Sequence, residues 1–457
     1  MAVHNVTVER TLATLLEGKR YSTIKDILVT MNGADIALVF STLDEETLPL
    51  LFRLLPKELA AEAFAEMESD AQELLIRGFS DKELKDVVNE LFVDDAADLV
   101  EEMPANVVNR ILESADPEFR KAINDLLQYP EDSAGSIMTS EYVSLRENMT
   151  VADAIERIRR TGVDKETVYT CYVTESRKLQ GIVPLRSILM CRDNETRISD
   201  IMDRNIITLN TLDSSEYAAS QLSHYNFIAL PVVDSDGHMV GIITFDDAMD
   251  VMRDEATADM EIMGGMTPSE KSYLRSNALE LFLHRIPWLL LLMVSATFTG
   301  MIITNFESAL AAQVALTAFI PMLMDTGGNS GSQASVTVIR ALSLDELQFR
   351  DMPKVLWKEL QTSLLCGSAL AVVCFGKIYL IDKLLMGNAD ITVPVILVVC
   401  LTMLLTVMVA KLIGCALPMV AKKLGFDPAV MASPFITTIV DAVSLLVYFG
   451  FASLVLF

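Results

Sequence analysis

The stretch ASPFITTIVDAVSLLVYF, residues 432–449, sets Ser433, Thr437 and Asp441 at i, i+4 and i+8, one polar stripe along an otherwise apolar helix. Thr438 lies beside it. A carboxylate inside an apolar span costs about 2.5–3.5 kcal/mol on insertion scales, so Asp441 is expected to face an interior pathway. No Lys or Arg within this span can neutralise it, and a salt bridge to Lys411 of the preceding span is the structural alternative. Pro434 leaves the carbonyl of Val430 without its helical donor, and carboxylate, hydroxyls and carbonyl together form an all-oxygen surface that suits a hard divalent cation. A second polar run, PMLMDTGGNSGSQ at residues 321–333, places Asp325, Asn329 and Gln333 four apart on one face. Pro321 is expected to free the carbonyl of Thr317, while Gly327, Gly328 and Gly331 let the backbone leave helical geometry around a cavity. The alternative is that these small residues only let helices approach closely. Mg²⁺ dehydrates reluctantly and is usually held through one or two carboxylates plus its own waters, so one carboxylate per subunit fits a hydrated ion. On these grounds Mg²⁺, Mn²⁺, Co²⁺ and Ca²⁺ all remain open.

A different set of acids lies far from these spans. Asp94, Asp95, Asp98, Glu101 and Glu102 crowd little more than two helical turns, and Glu62 sits in a related stretch upstream. The run DDAMDVMRDEATADME carries Asp246, Asp247, Asp250, Asp254, Glu255, Asp259 and Glu261. Asp250 and Asp254, like Glu255 and Asp259, share a helix face, where like charges repel. At 4 Å and an effective dielectric of 20, such a pair costs up to about 4 kcal/mol. A divalent ion bridging facing clusters removes that cost, so Glu62, Asp94, Asp95, Asp98, Asp246, Asp247, Asp250, Asp254, Glu255 and Asp259 are candidate regulatory ligands. For any one of them the alternative is a solvated surface charge.

The elements that must position these groups follow from composition and periodicity. The 457 residues are 51% apolar yet carry a formal charge of -26. Residues 266–457 hold 12 basic and 12 acidic side chains, so the whole excess lies in residues 1–265, with 24 basic against 50 acidic. An acidic soluble half thus joins a neutral apolar half, and without a basic patch nucleic acid is excluded as a partner. The six cysteines form no CxxC pair and the four histidines are scattered, so neither a disulfide framework nor a zinc site is visible. The first twenty residues lack an apolar run long enough for a signal peptide.

Residues 1–130 read as an all-α helical repeat: Leu55–Met67 returns as Leu91–Met103, 36 positions later, a period that suits stacked helical hairpins. Residues 131–256 hold a second repeat, with copies at 137–199 and 200–256. Each opens on Ile-Met (Ile137-Met138, Ile201-Met202) and continues with a helix (Val151–Arg160, Ser215–Tyr225) and a β-rich run (Tyr169–Thr174, Ala229–Asp234). Each closes on a Gly-led strand and helix, GIVPLRSIL and GIITFDDAM. This β-α-β-β-α order resembles a tandem pair of CBS domains. Thr244 and Asp247 match the Thr and Asp that contact ribose in many CBS domains, which would admit ATP as a modulator, whereas the first copy has Pro184 and Ser187 at those places. Residues 257–284 read as a polar connector, or plug, helix. Five apolar stretches follow within 285–457, at about 286–305, 309–341, 361–382, 391–417 and 429–457, each near or above the roughly 20 residues that span hydrocarbon. Arg275, Arg285, Arg340, Arg350, Lys354, Lys358, Lys422 and Lys423 fall on one side and only Lys377 and Lys383 on the other. The positive-inside rule then puts the N-terminus in the cytosol and the C-terminus outside.

This order of domains, with PMLMDTGGNSGSQ in the second span and DPAVMASPFITTIVD in the fifth, resembles the MgtE family of bacterial magnesium channels and transporters over essentially the whole chain. The resemblance implies a homodimer in the inner membrane that conducts Mg²⁺ between its subunits. It also implies closure by cytosolic Mg²⁺ bound to the soluble domains, with the pore carboxylate at Asp441. Arg253 and Ala258 depart from the family's acidic run. A transporter of another divalent cation, an anion channel, a nucleotide-sensing membrane protein and a tethered enzyme are the competing classes. Asp441 opposes an anion path, and TGGNSGS lacks the Lys of a phosphate-binding loop.

Overall fold

A computed structural model of the chain describes residues 11–456 apart from 13, 270–272, 274, 275, 345, 389 and 432. Arg275, used above for orientation, lies outside the described residues, as does the side chain of Ser433. The chain divides into two units, residues 1–252 and 253–457.

The first unit begins with short helices: α1 (Tyr21–Leu28), α2 (Gly33–Phe40), α3 (Thr47–Phe52), α4 (Lys57–Ala65), α5 (Ser69–Gly78), α6 (Asp81–Val88), α7 (Val93–Glu102), α8 (Ala105–Ser114) and α9 (Pro117–Leu126). Five pairs pack two places apart (α2 on α4, α3 on α5, α4 on α6, α6 on α8, α7 on α9), and α5 also meets α8, the geometry of a short solenoid. The 36-residue period is therefore structural. Ala60, Ala61, Ala63 and Phe64 of α4 are buried, and so are their counterparts Ala96, Ala97, Leu99 and Val100 of α7.

Two three-stranded sheets follow. In the first, β1 (Tyr142–Leu145) runs parallel to β2 (Thr167–Glu175), which pairs antiparallel with β3 (Lys178–Pro184). In the second, β4 (Leu209–Asn210), β5 (Ala229–Val233) and β6 (Met239–Thr244) repeat that arrangement. The helices between them start where side chains can satisfy free N–H groups: Thr150 and Asp153 form a capping box on α10 (Val151–Thr161). Short α11 (Leu185–Met190) and α12 (Ile198–Ile201) lead to the second copy, where Ser214 caps α13 (Ser215–Tyr225). The two copies complete one another. Thr139 bridges to Ile242 of β6, and Asp203 bridges to Ile182 of β3. A Cβ on Gly241 would lie 2.8 Å from Met138 Sδ, and one on Gly181 would lie 2.7 Å from Met202 Sδ. The Ile-Met and Gly-led motifs are thus two halves of one contact, made twice.

Helix α14 (Phe245–Met263) ends at Gly264-Gly265, and α15 (Ala278–Asn305) starts on a capping box of Asn277 and Glu280. Within the expected connector at 257–284 the described residues form the end of α14, a turn and extended chain at 264–269, and the first turns of α15. After α16 (Glu307–Ala312) and a 3₁₀ turn at Val314–Phe319 come α17 (Ile320–Ser343), α18 (Met352–Lys377), α19 (Val393–Lys423) and α20 (Ser433–Leu456). Among the described residues, four helical segments, 278–305, 349–385, 393–423 and 428–456, are long and apolar enough to cross a membrane. The 24-residue α17 is long enough but carries the polar run. It packs on α19 and α20, α18 packs on α19, and α15 on α20.

The polar run does not unwind. Pro321 stands in the first turn of α17, where its missing N–H costs nothing, and the carbonyl of Thr317 accepts from Ile320 N–H. The glycines serve close packing instead, as in the alternative reading. A Cβ on Gly414 of α19 would lie 2.2 Å from the carbonyl oxygen of Gly331, so the two helices cross backbone to backbone. Pro434 likewise stands in the first turn of α20, preceded by a 3₁₀ turn at Pro428–Met431, so no helical bond to Val430 is lost.

Because backbone cannot yield as a side-chain tip can, Gly414→Val should lower stability by about 3 kcal/mol or more, at or above the upper end for overpacking. Gly300→Val, with nothing within 4 Å of the new Cβ, should not. Thermal unfolding of the purified variants in detergent separates the two outcomes.

Candidate metal centres

Helices α17 and α20 bring the intramembrane polar residues together. Gly328 sits against Thr437, where a Cβ would meet Thr437 Cγ2 at 3.0 Å, so the two backbones draw close. Asp325, Asn329 and Gln333 are exposed on one face of α17, and Asn329 Nδ2 donates to Asp325 Oδ1 at 3.1 Å. Asp325 lies within Coulombic reach of Asp441, which is half-buried on α20. Thr437 and Thr438 both donate their hydroxyl protons to the carbonyl of Pro434, at 3.0 and 3.1 Å. Each hydroxyl oxygen keeps lone pairs with which it can still accept a hydrogen bond. The salt bridge to Lys411 does not form: its Nζ lies 3.7 Å from Glu359 Oε2 of α18. Two carboxylates, an amide oxygen and two hydroxyls thus share one region, and among the described residues no Lys or Arg pairs with Asp441; the surface is oxygen-rich and suits a hydrated hard cation.

The second constellation is built in the first unit from three pieces of chain. The first turn of α7 supplies Asp94 and Asp95, with Asp98 one turn on. The start of α14 supplies Asp246 and Asp247, and the residue just ahead of β2 is Glu166. Glu141 accepts from Val93 N–H at 3.4 Å, tying the first sheet's leading segment to the N-terminus of α7. Asp94 is only 7% exposed and its Oδ1 is buried with no hydrogen-bond partner, as is Oε2 of Glu166. Loss of water raises the Asp94 carboxyl well above its ordinary range, and Asp247, Asp95 and Glu166 add to it. Burial, then Glu66 and Asp246, push Asp95 up to about 6. Asp98, open to solvent on one side, reaches about 7 through desolvation and the charges of Asp95, Glu101 and Asp247. Asp247 reaches about 6, mainly by burial and despite the hydroxyl of Thr244, while Glu166 reaches about 8 by burial and the charges of Asp247 and Asp246. Carboxylates so crowded must bind either protons or a cation.

A third group lies in the second unit. Asp259 of α14 accepts from Ser343 Oγ at the end of α17, at 3.3 Å, and burial followed by the charge of Asp427 raises its pKa. Ile262 and Met263 pack there against Ile339 and Ala429. Earlier on α14, Arg253 Nε lies 3.4 Å from Asp254 Oδ1, an exposed pair of little energetic weight. Asp250 and Glu255 sit on the same helix.

Several residues stand elsewhere than expected. Glu62 is exposed on α4, and the acid near that helix's end that bears on Asp95 is Glu66, one turn later. Thr244 is buried and donates to Asp247 Oδ2 at 2.5 Å, and Asp247 faces the acids of α7. The pair expected to hold ribose thus also borders the acidic cluster. Sequence reasoning missed Glu166, isolated in a loop of mixed charge that gives no signal. It also missed Asp427, whose position before Pro428 marks a turn start: its Oδ1 accepts from Ala429 N–H at 2.7 Å.

A helical solenoid and paired α/β repeats joined to a domain of long apolar helices that carry carboxylate, amide and hydroxyl side chains are the architecture of a multi-pass membrane transporter for a divalent cation. Family profiles agree along the chain: the MgtE intracellular N domain matches residues 31–132, CBS domains match 134–193 and 198–254, and the MgtE divalent cation transporter domain matches 320–451. The magnesium transporter MgtE of Thermus thermophilus is 34% identical over 95% of both chains, and that of Bacillus subtilis 30% identical over 99% of this chain and 98% of its own. A crystal structure of the cytosolic domain of the Mg²⁺ channel MgtE in complex with ATP is 32% identical, with a TM-score of 0.51 over 53% of this chain and 99% of that one. The chain belongs to the MgtE family of magnesium transporters.

The raised carboxyl pKa values make the first unit pH-sensitive in a definite direction. Between about pH 4 and 8 the folded cluster holds protons that the unfolded chain releases, so metal-free stability should fall as pH rises through 6 to 8. Limited proteolysis of the full chain in chelator should become faster at pH 8 than at pH 5.5, and Mg²⁺ should reduce the difference.

Proposed function

We propose that this chain is a Mg²⁺-selective channel mediating uptake across the bacterial inner membrane and closed by cytosolic Mg²⁺. One observation carries the pore assignment: the alternative partner of Asp441, Lys411, is engaged by Glu359, so the carboxylate is left for a passing cation. Ser433, Thr437, Thr438, Asn329 and Asp325 complete the wall, with hydrated Mg²⁺ favoured by one carboxylate per helix over a closed cage. Counting α17 gives five spans, with the N-terminus cytosolic and the C-terminus outside. Two copies sharing an axis would pair their Asp441 carboxylates across the conduction path.

Closure follows from the crowded acids. Asp94, Asp95, Asp98, Asp246 and Asp247 bind regulatory Mg²⁺ within the first unit, with Glu62, Asp250, Asp254, Glu255 and Asp259 as the further acids of this sensor. Each ion removes a repulsion that the unfilled cluster carries. Moving a gate from 1:99 to 99:1 takes about 5.5 kcal/mol, within reach of three or four sites worth about 1–2 kcal/mol each. The relative solved with ATP favours an adenine nucleotide as a modulator, with Thr244 and Asp247 as its candidate ribose contacts.

Asp441→Asn should abolish Mg²⁺-dependent growth of a strain lacking other importers while the protein remains in the membrane; normal growth would overturn the pore assignment. Asp95→Asn with Asp98→Asn should raise the cytosolic Mg²⁺ needed for closure about tenfold, the loss of roughly one site's 1.4 kcal/mol. Flux into liposomes with competing Mn²⁺, Co²⁺ or Ca²⁺ measures selectivity.

A further inference from the structure

Lys411 stands 18 residues from the start of α19 and 12 from its end, deep within an apolar span, and is 6% exposed. Its Nζ lies 3.7 Å from Glu359 Oε2, seven residues into α18, and that oxygen is buried with no hydrogen bond. Packing alone does not call for this pair. Taking two charges out of water costs more than their attraction usually returns, and apolar residues of equal volume commonly serve stability as well or better. What an ion pair adds is a preferred register, because sliding or rotating either helix strands a charge in a medium without water.

The register of α19 matters to both pore helices. One turn beyond Lys411, Gly414 takes the backbone of Gly331 from α17, and the carbonyl of Ala410 lies 3.2 Å from where a Cβ on Gly331 would stand. Ala410 also packs with Ile436 and Val440 of α20, the immediate neighbours of Thr437 and Asp441. On its other side, α17 ends at Ser343 and Ile339, where Asp259, Ile262 and Met263 of α14 rest. Helix α19 is therefore the wall on which α17 and α20 both lean, and α18 is fastened behind it through Glu359.

We propose that Lys411 and Glu359 form an interhelical latch that fixes α19 in one register, and so sets how readily α17 and α20 move when α14 settles on them. They are positioning residues for gating and do not touch the ion. The inference rests on the proposal that cytosolic Mg²⁺ closes the channel.

The test uses the full-length protein in liposomes loaded with a Mg²⁺ indicator, with flux recorded against Mg²⁺ on the side bearing the soluble unit. Lys411→Met and Glu359→Gln should each shift the half-closing Mg²⁺ concentration at least about threefold. The exchanged pair, Lys411→Glu with Glu359→Lys, should return it toward the wild-type value. A purely structural role would lower the amplitude of flux in proportion to folded protein and leave the half-closing concentration in place. That result, or an exchanged pair displaced as far as the single variants, overturns the latch. Where a single variant fails to fold, Lys411→Arg and Glu359→Asp keep both charges but change their reach; they should shift closure in smaller measure, and wild-type closure in both overturns the latch equally. A wild-type flux that ignores Mg²⁺ overturns the gating proposal and the latch with it, whereas wild-type closure with unshifted variants overturns the latch alone.

Discussion

A carboxylate at membrane depth must be neutralised, hydrated or supplied with a cation, and the rest of this protein is arranged around which of these Asp441 receives. Neutralisation is prevented because Lys411 is occupied by Glu359. Small residues on α17 let it approach α20 closely enough to place Asp325 and Asn329 in the same region as Asp441. The helix starts contribute as well. Pro321 and Pro434 stand in first turns, where rigid φ favours the helix and the missing donor is not needed, so the polar stripe begins from a well-defined end.

The soluble unit poses the same electrostatic problem in water-poor protein. Asp94, Asp247 and Glu166 come from a helical repeat and from both copies of an α/β repeat, elements distant in sequence that the fold brings within reach of one another's charge. Their mutual repulsion is tolerated because the surrounding core, with Ala96, Ala97, Leu99 and Val100 buried beneath α7, holds the helix in place. Core packing and the acidic cluster therefore draw on different side chains of one helix. The apolar face makes the solenoid, and the acidic face is kept unsatisfied.

Much of this was legible in the chain itself. The 36-residue repeat, the paired Ile-Met and Gly-led motifs and the i, i+4, i+8 stripe are short-range patterns, and each maps onto an element where it was expected. The polar run of the second span misled because Gly, Asn and Ser read locally as helix breakers, whereas neighbouring helices hold them helical and use their small size. Partner choice was the least legible. Nothing near Lys411 in sequence points to Glu359, and nothing near Glu166 points to Asp247, since such pairings are decided by packing between distant segments. Thr244 and Asp247 fitted a nucleotide motif by type and spacing, but the acids of α7 that face them come from more than a hundred residues upstream.

The reciprocal bridging of the two α/β copies also bears on how such a protein can change over evolutionary time. Since Thr139 finishes the sheet edge at Ile242 and Asp203 finishes that at Ile182, neither copy owns a complete fold. Loss of one would expose the other's strand edge and unseat its methionine, so the two must be inherited, exchanged or deleted as a single cassette. Mutational drift in either is then policed by its twin.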